Sequence, residues 1–131
     1  METYELENEV RTALIGNAEL INVLPLGSKA IYHNVAPSVE PKRYPIIVYS
    51  PISDVPSLAG DNREVARRVT IRIHVIASQK RYEADENNFI NACRLVNQIM
   101  TGLNFVRRQT VPYNEDGKIM KIFDFVGGVE T

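Results

Sequence analysis

One stretch of alternating residues constrains the fold of this chain more than any other. From Glu64 to Ala77, β-branched apolar residues alternate with charged or polar ones, and Arg67 interrupts the apolar side once. Because successive side chains of a strand point to opposite faces, the pattern predicts a strand with one buried and one wet face. Strands usually have about five or six residues. We therefore expect this strand to project beyond the core as an arm. The apolar residues are Val65, Val69, Ile71, Ile73 and Val75.

Apolar spacing elsewhere predicts two helices and four further strands. Leu6, Val10 and Leu14 recur on one helical face over residues 3–15, and Asn17 is placed to cap a short second turn, Ala18–Val23. The second helix is predicted over residues 82–102, with an apolar stripe of Phe89, Cys93, Val96, Met100 and Leu103. The further strands are predicted over residues 29–34, 46–49, 104–113 and 118–126, the last two joined by a hairpin turn at Asn114–Gly117.

Two stretches are predicted to be irregular. Residues 51–62 contain Pro51, Pro56, Gly60 and several turn-forming side chains, and they form the longest such stretch in the chain. Long loops in compact domains are usually functional or disordered, so we expect this loop to be mobile or bound to a partner. Gly127 and Gly128 are predicted to release a short free tail.

The order of these elements is helix, three strands, helix, two strands. Runs of adjacent strands mixed with two helices favour an α+β fold, in which a mainly antiparallel sheet carries two helices on one face. No repeat, low-complexity run or linker divides the chain. We therefore expect a single domain over residues 1–131, without a membrane span, because no apolar stretch approaches about 18 residues.

The sequence contains no recognisable catalytic set. His33 and His74 lack neighbours at metal-ligand spacing, and Cys93 lies within the apolar stripe of the second helix, where cysteine usually packs as a small hydrophobe. Neither a nucleophile elbow nor a phosphate-binding glycine loop is present. We expect a protein that is not an enzyme, with no metal site and no cofactor. A small enzyme is the third hypothesis and would require a pocket with perturbed titratable groups.

Charge suggests a surface for contacts and leaves a second hypothesis open. Lys and Arg number 15 and Asp and Glu number 16, so the net charge of −1 lacks the basic surplus usual in nucleic-acid binders. A local row of arginines nevertheless lies along the long strand. Such a row could touch phosphates, or it is a charged face that keeps the strand soluble or pairs with carboxylates of a neighbour. A small nucleic-acid-binding α+β module is therefore the alternative. The candidate interaction residues of this strand and the preceding loop are Arg63, Arg67, Arg68, Arg72, Asp54, Leu58 and Asp61.

Taken together, four segments resemble the tail-completion or head–tail joining proteins of long-tailed bacteriophages, which are similar in fold to lambda-type tail terminators. An N-terminal helix ends at Ala18–Leu20, and a strand and turn follow at Ala30–Pro37. A proline then leads into the apolar strand Tyr44–Tyr49, and the alternating strand Glu64–Val75 comes after the loop. The resemblance covers nearly the whole chain. In the family the proline is often followed by an aromatic residue, whereas here Tyr44 precedes Pro45.

The resemblance implies a mechanical function. Proteins of this kind form rings, commonly hexamers, at the head-proximal end of the tail tube, where they complete the tail and join it to the head. The implied partners are further copies of the chain, the tail tube protein and the head connector protein, with no membrane and no specific nucleic-acid recognition. The implied location is the bacterial host cytoplasm during assembly and the virion tail for an active phage. Reversing Arg68 and Arg72 is then expected to impair assembly and leave the fold intact.

Overall fold

The computed structural model describes residues 3–35, 37, 43–60, 63–78, 86–115 and 117–130. The described residues form an α+β fold, which confirms the predicted class. The structure contains one helix more than the two predicted, the short α2, and the order of the elements otherwise matches the prediction. The helices are α1 (Thr3–Ile15), α2 (Ala18–Val23) and α3 (Glu86–Gly102), with a 3₁₀ turn at Gly27–Ala30, and the strands are β1 (Ile31–His33), β2 (Ile46–Gly60), β3 (Arg63–Ser78), β4 (Val106–Glu115) and β5 (Lys118–Glu130).

The five strands form one mainly antiparallel sheet in the order β1-β2-β3-β5-β4. Only the β1–β2 pair is parallel among the described strands. Helix α1 contacts β1 and β2, whereas α3 contacts β3 and β4, so the helices cover the sheet from one end to the other. The free edges belong to β1 and β4 within the described part of the chain.

The core lies between this helical layer and the sheet. Ile71 and Ile73 of β3 are fully buried, and they pair in register with the buried Phe125 and Phe123 of β5. Cys93 lies among the buried residues of α3, as its place in the apolar stripe predicts. The alternation in β3 and the stripe in α3 are therefore two halves of one apolar contact, whose burial is the main force that holds the fold together.

Local signals placed several boundaries correctly. The Asn17 side chain accepts a hydrogen bond of 2.9 Å from the backbone N–H of Leu20, which caps the N-terminus of α2 as predicted. Gly117 has a φ of +74°, the left-handed conformation that the β4–β5 turn requires of it. The predicted strand at 29–34 is shorter, because residues 27–30 form the 3₁₀ turn. Residues 82–85 of the predicted second helix lie outside the described residues.

The predicted loop at residues 51–62 is wrong over most of its length. Residues 51–60 continue β2, and they pair with β3 as far as Gly60 opposite Arg63. The register shifts near Pro51 and Pro56, where bulges accommodate residues that cannot donate to a ladder. Strand β1 pairs only with Ile47–Tyr49. From Ser50 onward, the edge of β2 that faces away from β3 therefore has no described strand beside it, and a proline there removes no hydrogen bond to such a strand. Long-range pairing therefore overrides the local turn chemistry.

The predicted free tail at Gly127–Gly128 is also wrong. Strand β5 runs on to Glu130, and Gly127 pairs with Val69 of β3. A Cβ atom added to Gly127 would lie 2.8 Å from the Phe105 ring, so the glycine permits a close approach of that aromatic side chain. Here the glycine serves packing inside the sheet.

Candidate interaction surface

The structure brings the backbones of most predicted interaction residues into one β-ribbon. We define the outer ribbon as Asp54–Gly60 of β2 paired with Arg63–Val69 of β3. It extends past β1, whose pairing with β2 ends at Tyr49, and past β4, whose pairing with β5 begins at Val126. At about 3.3 Å per residue, the β3 half of the ribbon is about 20 Å long. The arm expected from the length of β3 therefore corresponds to the backbone of the outer ribbon.

Six of the seven predicted residues lie on these two strands, five of them within the ribbon. Arg63 and Arg67 are in β3, where Arg67 pairs with Pro56, and Asp54 and Leu58 lie on the facing strand. Asp61 lies outside the described residues. The predicted basic row and the predicted loop residues thus meet on paired strands.

Arg68 and Arg72 share one face of β3, yet their surroundings differ. Arg68 is exposed and lies opposite Val55 on one side and Gly128 on the other. Arg72 lies inside the five-stranded part of the sheet, directly opposite Asp124 of β5. Its guanidinium is therefore engaged within the chain, and it is not a free member of a basic row.

Arg72, Asp124 and Gln109 form a hydrogen-bonded group across β3, β5 and β4, which we call the cross-strand cluster. Arg72 donates from Nε to Asp124 Oδ1 at 2.8 Å and from its terminal nitrogen to Oδ2 at 3.1 Å. Gln109 donates from Nε2 to Asp124 Oδ2 at 2.6 Å. Such a two-pronged arginine–carboxylate contact fixes both distance and orientation. Asp124 and Gln109 were not predicted from the sequence, because the alternation of Phe123, Asp124 and Phe125 indicates only that Asp124 points away from the core.

Charge pairing governs the protonation of this cluster. Asp124 is only 5% exposed, and the hydrogen bond from Arg72 holds the pKa of its carboxyl below the usual range against the opposing effect of burial. The same hydrogen bond raises the pKa of Arg72. Both groups are therefore charged at neutral pH. A buried carboxylate that loses its cation is costly, so the cluster fixes β5 against β3.

His74 follows Arg72 on the same face of β3 and is held neutral. Burial lowers the pKa of His74, the nearby charge of Arg72 lowers it further, and Asp124 acts in the opposite direction. Its Nδ1 atom is buried without a hydrogen-bond partner. A neutral imidazole in this position is a packing element and does not serve as a cation on the surface.

His33 has a structural contact that its sequence position did not reveal. Its Nε2 lies 2.6 Å from Glu7 Oε1 on α1, and its ring stacks on Tyr49 at a centroid distance of 5.0 Å. Burial raises the pKa of Tyr49, which keeps this phenol neutral. His33 therefore ties α1 to the sheet.

The described residues also bear on catalysis. Burial raises the pKa of the Cys93 thiol to about 11, so it is not a nucleophilic thiolate at neutral pH. No group of three or more metal-ligating His, Cys, Asp or Glu side chains occurs within the described ranges. Among the described helices, none combines the length and apolar character that a bilayer crossing requires.

Exposed apolar side chains on β4 are a second feature that sequence analysis missed. Val106 is 65% exposed, Tyr113 is 44% exposed, and Val111 is 39% exposed. Register with Val126, Met120 and Ile122 of β5 places all three on the same face as the cross-strand cluster. Exposed apolar groups that cluster on one element often mark contact surfaces. The signal was available in the β4 sequence, whose alternation continues beyond the bulge at Arg107–Gln109.

Comparison with known proteins finds a likeness in fold. No protein-family model matches the chain, and no curated protein matches it. Its fold is similar to that of a chain in a solved structure described as the virion of a native gene transfer agent (GTA) particle, with a TM-score of 0.66. The two chains are 16% identical, and the match covers 93% of this chain and 92% of the other. At this identity the likeness establishes a shared fold over nearly the full length of both chains.

Proposed function

We propose that this protein is a structural component of a phage or phage-like particle. The observation that carries the proposal is the fold shared, over nearly the full length of both chains, with a chain of a gene transfer agent virion. The sequence resemblance to tail-completion proteins supports the same class of function independently of that comparison. The neutral thiol of Cys93 fits a protein without a catalytic role.

More specifically, the protein acts as one domain that forms a ring at the head-proximal end of a tail tube. The ring terminates or completes the tail and joins it to the head connector. Its partners are other copies of itself, the tail tube protein and the connector protein, and assembly takes place in the bacterial host cytoplasm. A ring requires two different surfaces on each subunit, and a sheet with two dissimilar edges and a projecting ribbon supplies such surfaces.

The outer ribbon supports this proposal because it leaves backbone groups available for a neighbour. Beyond Tyr49, β2 pairs only with β3 among the described strands, and beyond Val126, β5 has no described partner on its β4 side. Unpaired strand edges are the places where sheets accept another chain. The candidate contact residues are Arg63, Arg67, Arg68, Asp54, Leu58 and Asp61. Arg72 is the exception, because Asp124 already binds it.

The test is reconstitution on tail tubes that lack this protein, viewed by negative-stain electron microscopy. We expect a ring of about six subunits at one end of each tube, as a closed heterologous assembly. The double variant Arg63→Glu, Arg68→Glu changes only ribbon charges and is expected to abolish the ring. The control Arg94→Glu, Lys121→Glu makes the same charge change at exposed sites on α3 and β5 and is expected to retain it.

Other results would contradict the proposal. Tubes without added density, or protein bound along the whole tube, would exclude a terminating ring. Binding to DNA that falls steeply as salt rises, without binding to tubes, would instead favour the nucleic-acid module. Ring formation by the ribbon variant would remove the ribbon from the contact and leave the ring itself in place.

A further inference from the structure

Two separate surfaces of the chain carry opposite charge. The first, which we call the β4 surface, is the start of the edge strand, where Val106, Arg107 and Arg108 are exposed. No acidic residue occurs between Val106 and Asn114. Arg107 donates to Asn97 on α3 at 3.3 Å, which holds its side chain along this edge. Val106 lies on the face of the cross-strand cluster and Arg107 on the helical face, so the free edge of β4 carries an apolar side chain on one side and a cation on the other, with Arg108 exposed beside them.

The second surface, which we call the α1 groove, is open and has a volume of about 530 Å³. Glu5 and Glu9 are exposed one helical turn apart along it, and the partly buried Ala13 and Leu103 give it an apolar floor. The groove thus combines apolar side chains with negative charge, whereas the β4 surface combines an apolar side chain with positive charge. The groove is lined by Glu5, Asn8, Glu9, Thr12, Ala13 and Leu103.

The two surfaces lie on different elements and share no residue. The groove lies between α1 and Leu103, which follows α3, whereas the β4 surface begins at Val106 of the edge strand. A contact that joins different patches of two subunits is heterologous, and repeating it yields a ring or a chain. The net charge of −1 means that little overall repulsion opposes the approach of two copies.

We propose that the β4 surface of one copy docks in the α1 groove of the next copy. Arg107 and Arg108 pair with Glu5 and Glu9 of the neighbour, and Val106 covers the apolar floor beside Ala13 and Leu103. This contact rests on the proposed ring, for which it names the subunit interface. Charge complementarity sets the orientation of the two copies. It excludes a contact between two β4 surfaces, because the arginines of one copy would then face the arginines of the other.

Charge reversal on each side provides the test. One variant carries Arg107→Glu and Arg108→Glu, and the other carries Glu5→Lys and Glu9→Lys. Association is measured by sedimentation velocity at low salt over a wide concentration range. The wild-type mass is expected to rise with concentration, and each variant alone is expected to associate at least about tenfold more weakly, because like charges then meet. An equimolar mixture is expected to regain association, because each variant then meets its complement.

Matched controls separate this contact from general charge effects. Lys121→Glu and Glu19→Lys reverse exposed charges outside both surfaces, and they are expected to leave association unchanged. Thermal unfolding of every variant checks that the fold is intact. A monomeric wild type at all concentrations, equal losses in the controls, or a mixture that stays dissociated would each overturn the contact.

The same variants distinguish this contact from the ring itself. Rings that persist on tail tubes with both reversal variants would overturn the β4–α1 contact and leave the proposed function standing. If wild-type protein forms no ring on tubes but associates through these surfaces in solution, the proposed function fails and the contact stands.

Discussion

Arg68 and Arg72 lie four residues apart on one face of one strand, and the structure gives them different roles. Arg72 lies where β5 and β4 run alongside β3, and those strands supply Asp124 and Gln109. Arg68 lies in the outer ribbon, beyond the end of β4 pairing, and it is exposed. The strands alongside a charged residue therefore decide whether its side chain is bound within the fold or left exposed.

The largest expected effect breaks the packing that supports the inner region. Cys93→Asp places an unpaired carboxylate at a buried position of α3 and should cost at least about 3 kcal/mol of unfolding free energy. We expect an unfolded or aggregated protein by circular dichroism and gel filtration. Cys93→Ala is the control and should remain folded with a smaller loss. An unchanged melting temperature for Cys93→Asp would contradict the burial of this helix face.

The difference between Arg72 and Arg68 is tested by two alanine variants, one that removes the partner of Arg72 and one that removes the side chain of Arg68. Asp124→Ala leaves Arg72 without its carboxylate and should lower the unfolding free energy by about 2–3 kcal/mol in urea denaturation. Arg68→Ala should change it by less than about 0.5 kcal/mol, as is usual for an exposed site. Equal losses in the two variants would show that position along β3 does not separate the two roles. The reversal of Arg68 and Arg72 together is therefore expected to disturb the fold as well as assembly.

The smallest expected effect is a pH dependence that belongs to the inner region. The pKa of His74 is lower in the folded protein than in the unfolded chain, so the unfolded state binds more protons as the solution is acidified. Stability from this residue is therefore present above its ordinary pKa of about 6.5 and decreases as pH falls below it. His74→Gln should flatten this part of the curve. Asp124 acts in a lower pH range, because its folded pKa lies below its usual value.

The contribution of His74 to the unfolding free energy is measured by urea denaturation of wild type and His74→Gln between about pH 7.5 and pH 5.5. In this range it is separated from the contribution of the carboxylates. The difference between the two proteins should shrink or reverse toward the acidic end. A difference that grows as pH falls would mean that protonated His74 stabilises the fold, contrary to its buried Nδ1 without a partner.

Much of the fold could be predicted because it depends on local periodicity. The alternation of β3, the stripe around Cys93, the cap at Asn17 and the turn at Gly117 each express a rule that operates within a few residues. Such rules state which face a residue takes, because backbone geometry alone sets the period of a helix or strand. The α+β class followed from the order of the elements.

The candidate site was less predictable because its contacts join residues far apart in the chain. Arg72 and Asp124 are 52 positions apart, and no local pattern pairs them. Residues 51–60 carry turn-forming residues, yet they pair with β3, because the ladder satisfies backbone groups that a loop would leave to water. The exposed apolar side chains of β4 likewise became a surface only when β4 was placed at the sheet edge.

The sequence by itself determined which residues are apolar on each helix and strand, and therefore the buried face of β3 and the core side of α3. Only the tertiary structure decided which arginine is held by Asp124, that β2 continues through two prolines, and that Gly127 packs against Phe105. The physical reason is range. Periodicity is set by the geometry of a single element, whereas register, pairing of charges and close approach depend on which elements lie side by side.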